Sequence, residues 1–244
     1  MKTLVIIPSR LSATRLPGKP LLKINGKSII SHVVRKAEAA NIGEVFVAAE
    51  DQEIVDDVRK NKGQAILSKK KHETGTDRVY EALNLIDRND IDLVMNLQGD
   101  EPLINIDDIR NLNFLMGKFN KKLGTLASKI SDDQIFKKSS VVKVNTDKSF
   151  EVSEFPNAIN FSRNISNKIK NIYHHLGIYC YQLETLKNFV DLNQSQNEIK
   201  NKLEQFRALD NNIKINVALA KSSPIGVDTK EDFEAVKKIM EHKS

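Results

Sequence analysis

Short apolar, β-branched runs recur in the first half of the chain, at residues 4–7, 45–49, 65–67 and 93–97. Runs this short, without polar alternation, mark strands buried on both faces. Between them lie segments with helical spacing: 28–40 places Ile29, Ile30, Val33, Val34 and Ala37 on one face, and 51–61 carries a thinner stripe of Ile54, Val55 and Val58. Downstream the pattern predicts a helix over 107–119, strands over 123–130 and 141–144, an exposed polar loop over 164–171 and a strand over 175–181. One helix over 197–209, a strand over 213–220 and a closing helix over 229–240, opened by a Thr229/Asp232 capping arrangement, complete it. The alternation predicts an α/β fold with a mainly parallel mixed sheet and helices on both faces.

At 244 residues and 40% hydrophobic content the chain can bury one substantial core. No repeat or low-complexity linker divides it, so 1–244 reads as a single domain. The first apolar run is too short for a secretory signal, and no stretch approaches the roughly 20 apolar residues of a membrane span, which predicts a cytoplasmic protein. The lone cysteine, Cys180, can form neither an internal disulfide nor a thiolate zinc site, so oxygen-ligated metal is the expected kind. A net charge of +6 and a pI near 9.2 raise the question of nucleic acid. The lysines are scattered, however, with no basic stripe interleaved with aromatics, and solvated surface accounts for them.

Candidate chemistry collects where strands end. Residues 7–20, Ile-Pro-Ser-Arg-Leu-Ser-Ala-Thr-Arg-Leu-Pro-Gly-Lys-Pro, leave the first strand carrying Arg10, Arg15 and Lys19. This is neither a Walker loop nor a dinucleotide fingerprint. Three crowded cations repel one another unless an anion sits between them, so the loop reads as a polyanion cradle suited to a triphosphate, or else as a solvated basic loop. Asn96-Leu97-Gln98-Gly99-Asp100-Glu101-Pro102 ends a strand in adjacent carboxylates. Asp100 is placed to hold magnesium against phosphate oxygens, or to cap a turn, and Glu101 reads as a turn residue or a support for its neighbour. Asp228, in Gly226-Val227-Asp228-Thr229, is a second metal ligand or the cap of the last helix. The segments His72–Arg78 (a tight polar loop before a helix), Phe161–Arg163, His174–Tyr179 and Leu203–Arg207 are weak singly, and Glu204 and Gln205 could be the wet side of a helix.

In combination and order these segments resemble the 3-deoxy-manno-octulosonate cytidylyltransferase (CMP-KDO synthetase) family, from Leu4 to about Val236. The resemblance implies a nucleotide-diphospho-sugar-transferase-like fold, a homodimer, and attack of the sugar acid's anomeric hydroxyl on the α-phosphate of CTP, with Mg2+ as cofactor, for lipopolysaccharide inner-core synthesis. Arg10, Arg15 and Lys19 would hold the triphosphate. The Pro8, Ser9 and Arg10 backbone, with Thr74, Gly75 and Gln98, would lie near the nucleoside, and Asp100 and Asp228 would bind the metal. Arg163, His175, Tyr179, Glu204 and Gln205 would line the sugar-acid pocket, in a region, about 105–210, that also supplies dimer contacts. The chain departs from the family pattern at Ala48-Ala49-Glu50, in place of Ala-Thr-Asp, at Cys180-Tyr181-Gln182, in place of Gly-Tyr-Arg, and around Phe161–Arg163. These departures leave an 8-amino form of the acid as an alternative acceptor.

Three other readings compete. A CMP-sialate synthetase would carry Arg-Gly-Gly-Ser-Lys in the first loop, and a metal-dependent glycosyltransferase an Asp-x-Asp pair where Gln98-Gly99-Asp100 stands. A non-catalytic sensor would bind CTP without consuming it.

Overall fold

The computed structural model describes residues 1–12, 15–88, 90–130, 138–164 and 169–242. Ala13 and Thr14 of the basic loop, and residues 165–168 of the predicted polar loop, lie outside the described residues. Two compact units are present: Met1–Ile109 with Pro224–Ser244, and Arg110–Ser223.

The first unit is built on four parallel strands. β1 (Thr3–Ser9) is buried at every position, and it pairs with β4 (Gly43–Ala49) on one side and β6 (Leu93–Asn96) on the other, while β5 (Gln64–Leu67) adds outside β4. A short antiparallel hairpin, β2 (Lys23–Ile24) and β3 (Lys27–Ser28), precedes the first crossover. Asn25 and Gly26 at its turn both have positive φ, as a two-residue hairpin matching strand twist requires. α1 (Ile29–Ala40) links β1 to β4 and starts where the Ser28 hydroxyl accepts the Ser31 N–H; its apolar stripe is fully inward. α2 (Gln52–Lys60) links β4 to β5, and α3 (Gly75–Ile86) links β5 to β6.

Strand order β6-β1-β4-β5 means the chain winds outward from β1 through β4 to β5 and then returns to β1's other side. With right-handed crossovers this reversal puts α1 and α2 on one face and α3 on the other, and it opens a crevice beyond the carboxyl ends of β1 and β6. The last helix, α8 (Lys230–Glu241), is begun by a capping box in which Thr229 and Asp232 satisfy each other's backbone N–H groups. Val227 and Val236 pack with Ile24 and Ile29 under Leu16, Leu22, Leu103, Phe233 and Met240, a satellite cluster tying the chain's end to the segment after the basic loop.

The second unit has a mixed sheet. β7 (Leu123–Ser128) lies between antiparallel β10 (Ile172–Gln182) and parallel β11 (Asn216–Leu219), and β8 (Lys143–Thr146) pairs antiparallel with both β10 and β9 (Ala158–Ser162). α4 (Ile106–Phe119) runs across the boundary of the two units, and α5 (Leu183–Asp191), α6 (Gln196–Asn201) and α7 (Gln205–Asp210) fill the rest.

The mainly parallel α/β architecture is as the apolar runs predict, and three local expectations are corrected. The helix over 197–209 is two, because Lys202 turns left-handed (φ 52°) and its N–H caps α6 on the Glu198 carbonyl. The break lets Arg207 reach back to Glu198 through a buried pair of bonds, Nη2–Oε1 2.7 Å and Nε–Oε2 3.0 Å. In a continuous helix residues nine apart would stand roughly 13 Å from each other. The strand placed at 141–144 runs instead over 143–146, opening on Lys143, a buried strand position whose ammonium donates to the carbonyls of Lys138 and Arg163 at 2.7 Å each. The polar segment 72–78 is loop only as far as Thr74, since α3 already contains Thr76, Asp77 and Arg78. The β2–β3 hairpin and β9 carry no apolar signal strong enough to separate them from loops, whereas α5, absent from the predicted elements, does place Leu183, Leu186, Phe189 and Val190 at helical spacing.

Gly43 faces Thr3 across the β1–β4 ladder so closely that a Cβ would lie 1.8 Å from the Thr3 carbonyl oxygen. Backbone on backbone cannot relax by a rotamer change, so Gly43→Ala should cost at least about 1–3 kcal/mol, the usual range for overpacking. A urea midpoint lowered at unchanged slope is the expected result.

Candidate functional site

In the first unit, the crevice at the β1/β6 reversal is a cavity of about 320 Å³. Every residue that the sequence assigns to nucleotide or metal lines it: Pro8, Ser9, Arg10, Arg15, Lys19, Thr74, Gly75, Gln98, Asp100 and Asp228. The basic loop is shaped by backbone bonds. Gly18, in the left-handed region at φ 69°, donates to the Leu11 carbonyl at 3.1 Å, and the Leu11 N–H is anchored on Asp51 Oδ2 at 2.7 Å. A single turn of 3-10 helix, Lys19–Leu21, follows, with Pro20 buried, so the start of the Lys19 side chain is held in place.

Asp100 and Asp228 come from opposite ends of the unit and are locked side by side by the Val227 N–H, which donates to the Asp100 carbonyl at 2.8 Å. Asp228 does not cap α8; Thr229 does, and the Asp232 carboxylate takes the Asp228 and Thr229 N–H groups at 3.2 and 2.9 Å. The Asp228 carboxylate is thereby left facing the loop cations. Lys19 Nζ donates to Asp100 Oδ2 at 2.6 Å and Asp228 Oδ1 at 3.3 Å, while Arg15 Nη2 lies 3.0 Å from Asp228 Oδ2. The repulsion expected among the cations is relieved by these two aspartates. Burial alone would lower the Lys19 pKa, but Asp100 and then Asp228 outweigh it and hold the ammonium above its ordinary value.

Glu101 is half-buried, with its Oε2 atom shielded from solvent and unpartnered. Burial, followed by the Asp100 and Asp228 charges, pushes it up to about 8 against the opposing pull of Lys19, so it is a mostly protonated carboxyl at neutral pH.

On the other wall, Thr74 caps α3 and exchanges hydrogen bonds with Asp77, its Oγ1 donating to Oδ2 at 2.7 Å and accepting the Asp77 N–H at 3.2 Å. Gln98 Nε2 donates to Asn96 Oδ1 at 3.3 Å, and Asn96 in turn donates to Thr76 at 3.2 Å, which orients the Gln98 amide from beneath. The cavity also takes in Arg78, which residue types alone do not single out. Arg78 is almost wholly buried, pairs with Glu50 at the end of β4, and keeps Nε without a partner. Burial would raise Glu50, yet the Arg78 bond and charge, helped by the His72 N–H and the charge of Arg10, hold it below the usual carboxylate range. The two residues stand 28 apart, so no local spacing announces the pair. Glu73, Ser12, Pro20 and Gly99 complete the lining.

The second unit holds the residues assigned to a sugar acid. His175 and Tyr179 face the same way from β10, ring centroids 5.6 Å apart, with Phe161 edge-on to His175 at 5.0 Å. The β10–β7 ladder slips between Leu176 and Tyr179, and the Thr125 hydroxyl fills the gap. It donates to the Ile178 carbonyl at 2.7 Å, which leaves its oxygen to accept from His175 Nε2 at 3.0 Å and sets that nitrogen as protonated. Burial raises the Tyr179 phenol well above its ordinary value, with further upward contributions from Tyr181 and Glu204, so Glu204 lies within electrostatic reach. Gln205 is buried with Nε2 unpartnered, a correction to the wet-face alternative: α7 is only one and a half turns long and packs that residue inward. Arg163 donates through Nη1 to the Ser140 carbonyl at 3.1 Å, and its own carbonyl is held by Lys143. Cys180 is fully buried, and burial pushes its thiol up, which suits packing rather than reaction. Among the described residues no helix is long and apolar enough to cross a membrane.

Comparison with known proteins adds to this geometry. The model of the cytidylyltransferase family matches residues 4–215. The 3-deoxy-manno-octulosonate cytidylyltransferase of Thermodesulfovibrio yellowstonii is 41% identical over 251 residues, covering 98% of each chain. Its counterpart from Rhodopseudomonas palustris is 39% identical over 99% of this chain and 98% of its own. Among solved structures, CMP:2-keto-3-deoxy-manno-octonic acid synthetase complexed with CTP superposes with a TM-score of 0.88 at 34% identity, over 100% of both chains. UDP-glucose pyrophosphorylase, at 11% identity and a TM-score of 0.73 over 100% of both chains, shares the fold.

The adjacent histidines of β10 make stability sensitive to acid. Burial, then the Lys143 charge, brings His174 down to about 4, and burial, then His174, brings His175 down to about 3, from an ordinary 6.5. The unfolded chain takes up these protons first as pH falls, so stability is unaffected above about 6.5 and is lost progressively below it, by roughly 2 kcal/mol for a fully buried histidine at pH 5. Thermal midpoints should fall between pH 7 and 5, and His175→Gln should flatten that decline.

Proposed function

This chain belongs to the cytidylyltransferase family, and we propose that it transfers CMP from CTP to 3-deoxy-manno-octulosonate, giving CMP-KDO and pyrophosphate. The observation that carries the reading is the meeting of Arg10, Arg15, Lys19, Gln98, Asp100 and Asp228 in one cavity at the β1/β6 reversal. A polyanion entering there meets guanidinium and ammonium groups, the start of α3 and a pair of carboxylates, the set that a nucleoside triphosphate needs.

In this reading the anomeric hydroxyl oxygen bonds to the α-phosphorus while the bridging bond to the β-phosphate breaks, the electron pair leaves with pyrophosphate, and the hydroxyl proton is released to solvent. Positioning and charge neutralisation are the protein's main tasks in phosphoryl chemistry, and no covalent intermediate on the protein is required. Arg15 and Lys19 neutralise charge growing on the leaving group, Arg10 holds the triphosphate beside them, and Thr74, Gly75 and Gln98 border the nucleoside with the backbone of Pro8 to Arg10. Asp100 and Asp228 would hold magnesium. Among the described residues no group of three or more His, Cys, Asp or Glu is gathered, and a pair of carboxylates beside a phosphate site fits an ion that takes its other ligands from phosphate and water. When bound, that ion would polarise the phosphates and ease ionisation of the attacking hydroxyl. Arg163 would meet the sugar acid's carboxylate, and His175, Tyr179, Glu204 and Gln205 its hydroxyls. The chain would act as a homodimer in the cytoplasm, supplying lipopolysaccharide inner-core synthesis.

Purified protein with CTP, magnesium and 3-deoxy-manno-octulosonate should release pyrophosphate, whereas a sensor would bind CTP without consuming it. Equal or faster turnover with the 8-amino sugar acid would reassign the acceptor. Asp100→Asn should keep the fold and lower kcat by roughly 100-fold or more, since it removes charge from the proposed metal site. Circular dichroism beside the pyrophosphate assay checks both halves.

A further inference from the structure

Resting on the reading of Asp100 and Asp228 as metal ligands, we propose that Lys19 is a built-in counter-ion that bars the aspartate pair to divalent cations until a nucleotide's phosphates draw its ammonium away. Lys19 would then couple the two ligands, so that metal loads productively with or after the nucleotide.

Lys19 Nζ stands between the carboxylates, touching Asp100 Oδ2 at 2.6 Å and Asp228 Oδ1 at 3.3 Å. The second Asp228 oxygen is taken by Arg15 at 3.0 Å. A magnesium ion bridging the two aspartates through these oxygens, at about 2.0–2.1 Å from each, would occupy the space between them where the ammonium stands. Binding of either cation is therefore mutually exclusive at these atoms.

Burial of the three groups is graded in the direction a latch requires. The Lys19 side chain is only 12% exposed, against 30% for Asp100 and 47% for Asp228, so the ammonium lies beneath the carboxylates that an entering ion would meet. The frame around it is rigid while the stem is not. Leu21 and Leu22 donate to the Gly18 and Lys19 carbonyls at 2.9 and 3.2 Å, and the Val227 N–H pins Asp100 to the Asp228 segment. Moving the ammonium requires only rotation about the flexible lysine stem, with both aspartates left in place.

Two carboxylates this close repel each other, and a tethered ammonium relieves that repulsion without the entropic cost of recruiting a free ion. A dilute divalent cation competes poorly with it. A triphosphate changes the balance on both sides, because its oxygens offer the ammonium a more highly charged partner and offer the metal additional ligands. By linkage, a nucleotide that favours metal in this way must itself be bound more tightly, by the same factor, when metal is present.

Titration with Mn2+ tests this, read by the EPR signal of free ion and, with CTP, by water-proton relaxation enhancement, which separates protein-bound from nucleotide-bound ion. Without nucleotide, Lys19→Met should bind Mn2+ roughly tenfold more tightly than wild type. With CTP present the same variant should gain nothing or lose affinity, an opposition of sign that a merely structural defect does not produce. Arg10→Gln removes a cation from the same cavity that makes no ion pair with either aspartate, and an equal gain there would overturn the proposal by showing a general charge effect. So would a gain that survives Asp228→Asn in the Lys19→Met background, since the ion would then sit elsewhere. Lys19→Gln serves as a second variant. Wild type supplies a reading that needs no variant: nucleotide-free protein that binds Mn2+ as tightly as the CTP complex overturns the latch. Pyrophosphate release by wild type judges the cytidylyltransferase reading separately, and a failed latch leaves that result untouched.

Discussion

Charge balance between two loop cations and two aspartates is the interaction on which the first unit's site depends. Asp100 and Asp228 would repel each other across the crevice, and Arg15 and Lys19 would repel each other along the loop; each pair makes the other tolerable. The arrangement requires segments separated by 81 and 209 residues to arrive together. The winding of the sheet brings them there: β1 delivers the loop, β6 delivers Asp100 beside it, and the satellite cluster around Val227 and Val236 returns the end of the chain to the same place.

Burial shapes the remaining polar chemistry in a different way in each unit. Around the crevice, buried charges are matched: Arg78 by Glu50 and Lys19 by its two aspartates, while Glu101, left without a cation in contact, takes up a proton. In the second unit, burial removes charge. His174 and His175 are kept neutral and the Tyr179 phenol stays protonated, so the His175 and Tyr179 rings offer neutral hydrogen-bond donors and acceptors, with the Glu204 charge within reach of the phenol. A polyhydroxylated ligand is suited by the second environment and a polyphosphate by the first, since neutral hydrogen bonding discriminates hydroxyls while cations pay their desolvation only against anions.

The slipped ladder in β10 shows how a small irregularity serves this division. The extra residues Gly177 and Ile178 take carbonyls out of the regular ladder, and the Thr125 hydroxyl gives its one hydrogen to the Ile178 carbonyl while fixing the tautomer of His175. The alternation of apolar residues along 175–181 does not place the slip, although Gly177 inside the strand is the kind of residue that marks a bulge.

Apolar runs and helical stripes determined the α/β class, the positions of β1, β4, β5 and β6, and the helices α1, α2, α4 and α8, because burial of a continuous run or stripe is a local property of the chain. The strand-end placement of Arg10, Arg15, Lys19, Asp100 and Asp228 was equally legible, since unusual polar residues interrupt apolar runs there. What only the tertiary structure decided is the pairing of those residues. That Lys19 bridges both aspartates, that Arg78 is held by Glu50, that the helix over 197–209 breaks so that Arg207 can meet Glu198, and that Lys143 is a core residue all rest on contacts between distant segments. A sequence records which groups must find partners in a low-dielectric interior; which partners they find depends on how the strands are ordered, and that order is set by the packing of the whole unit.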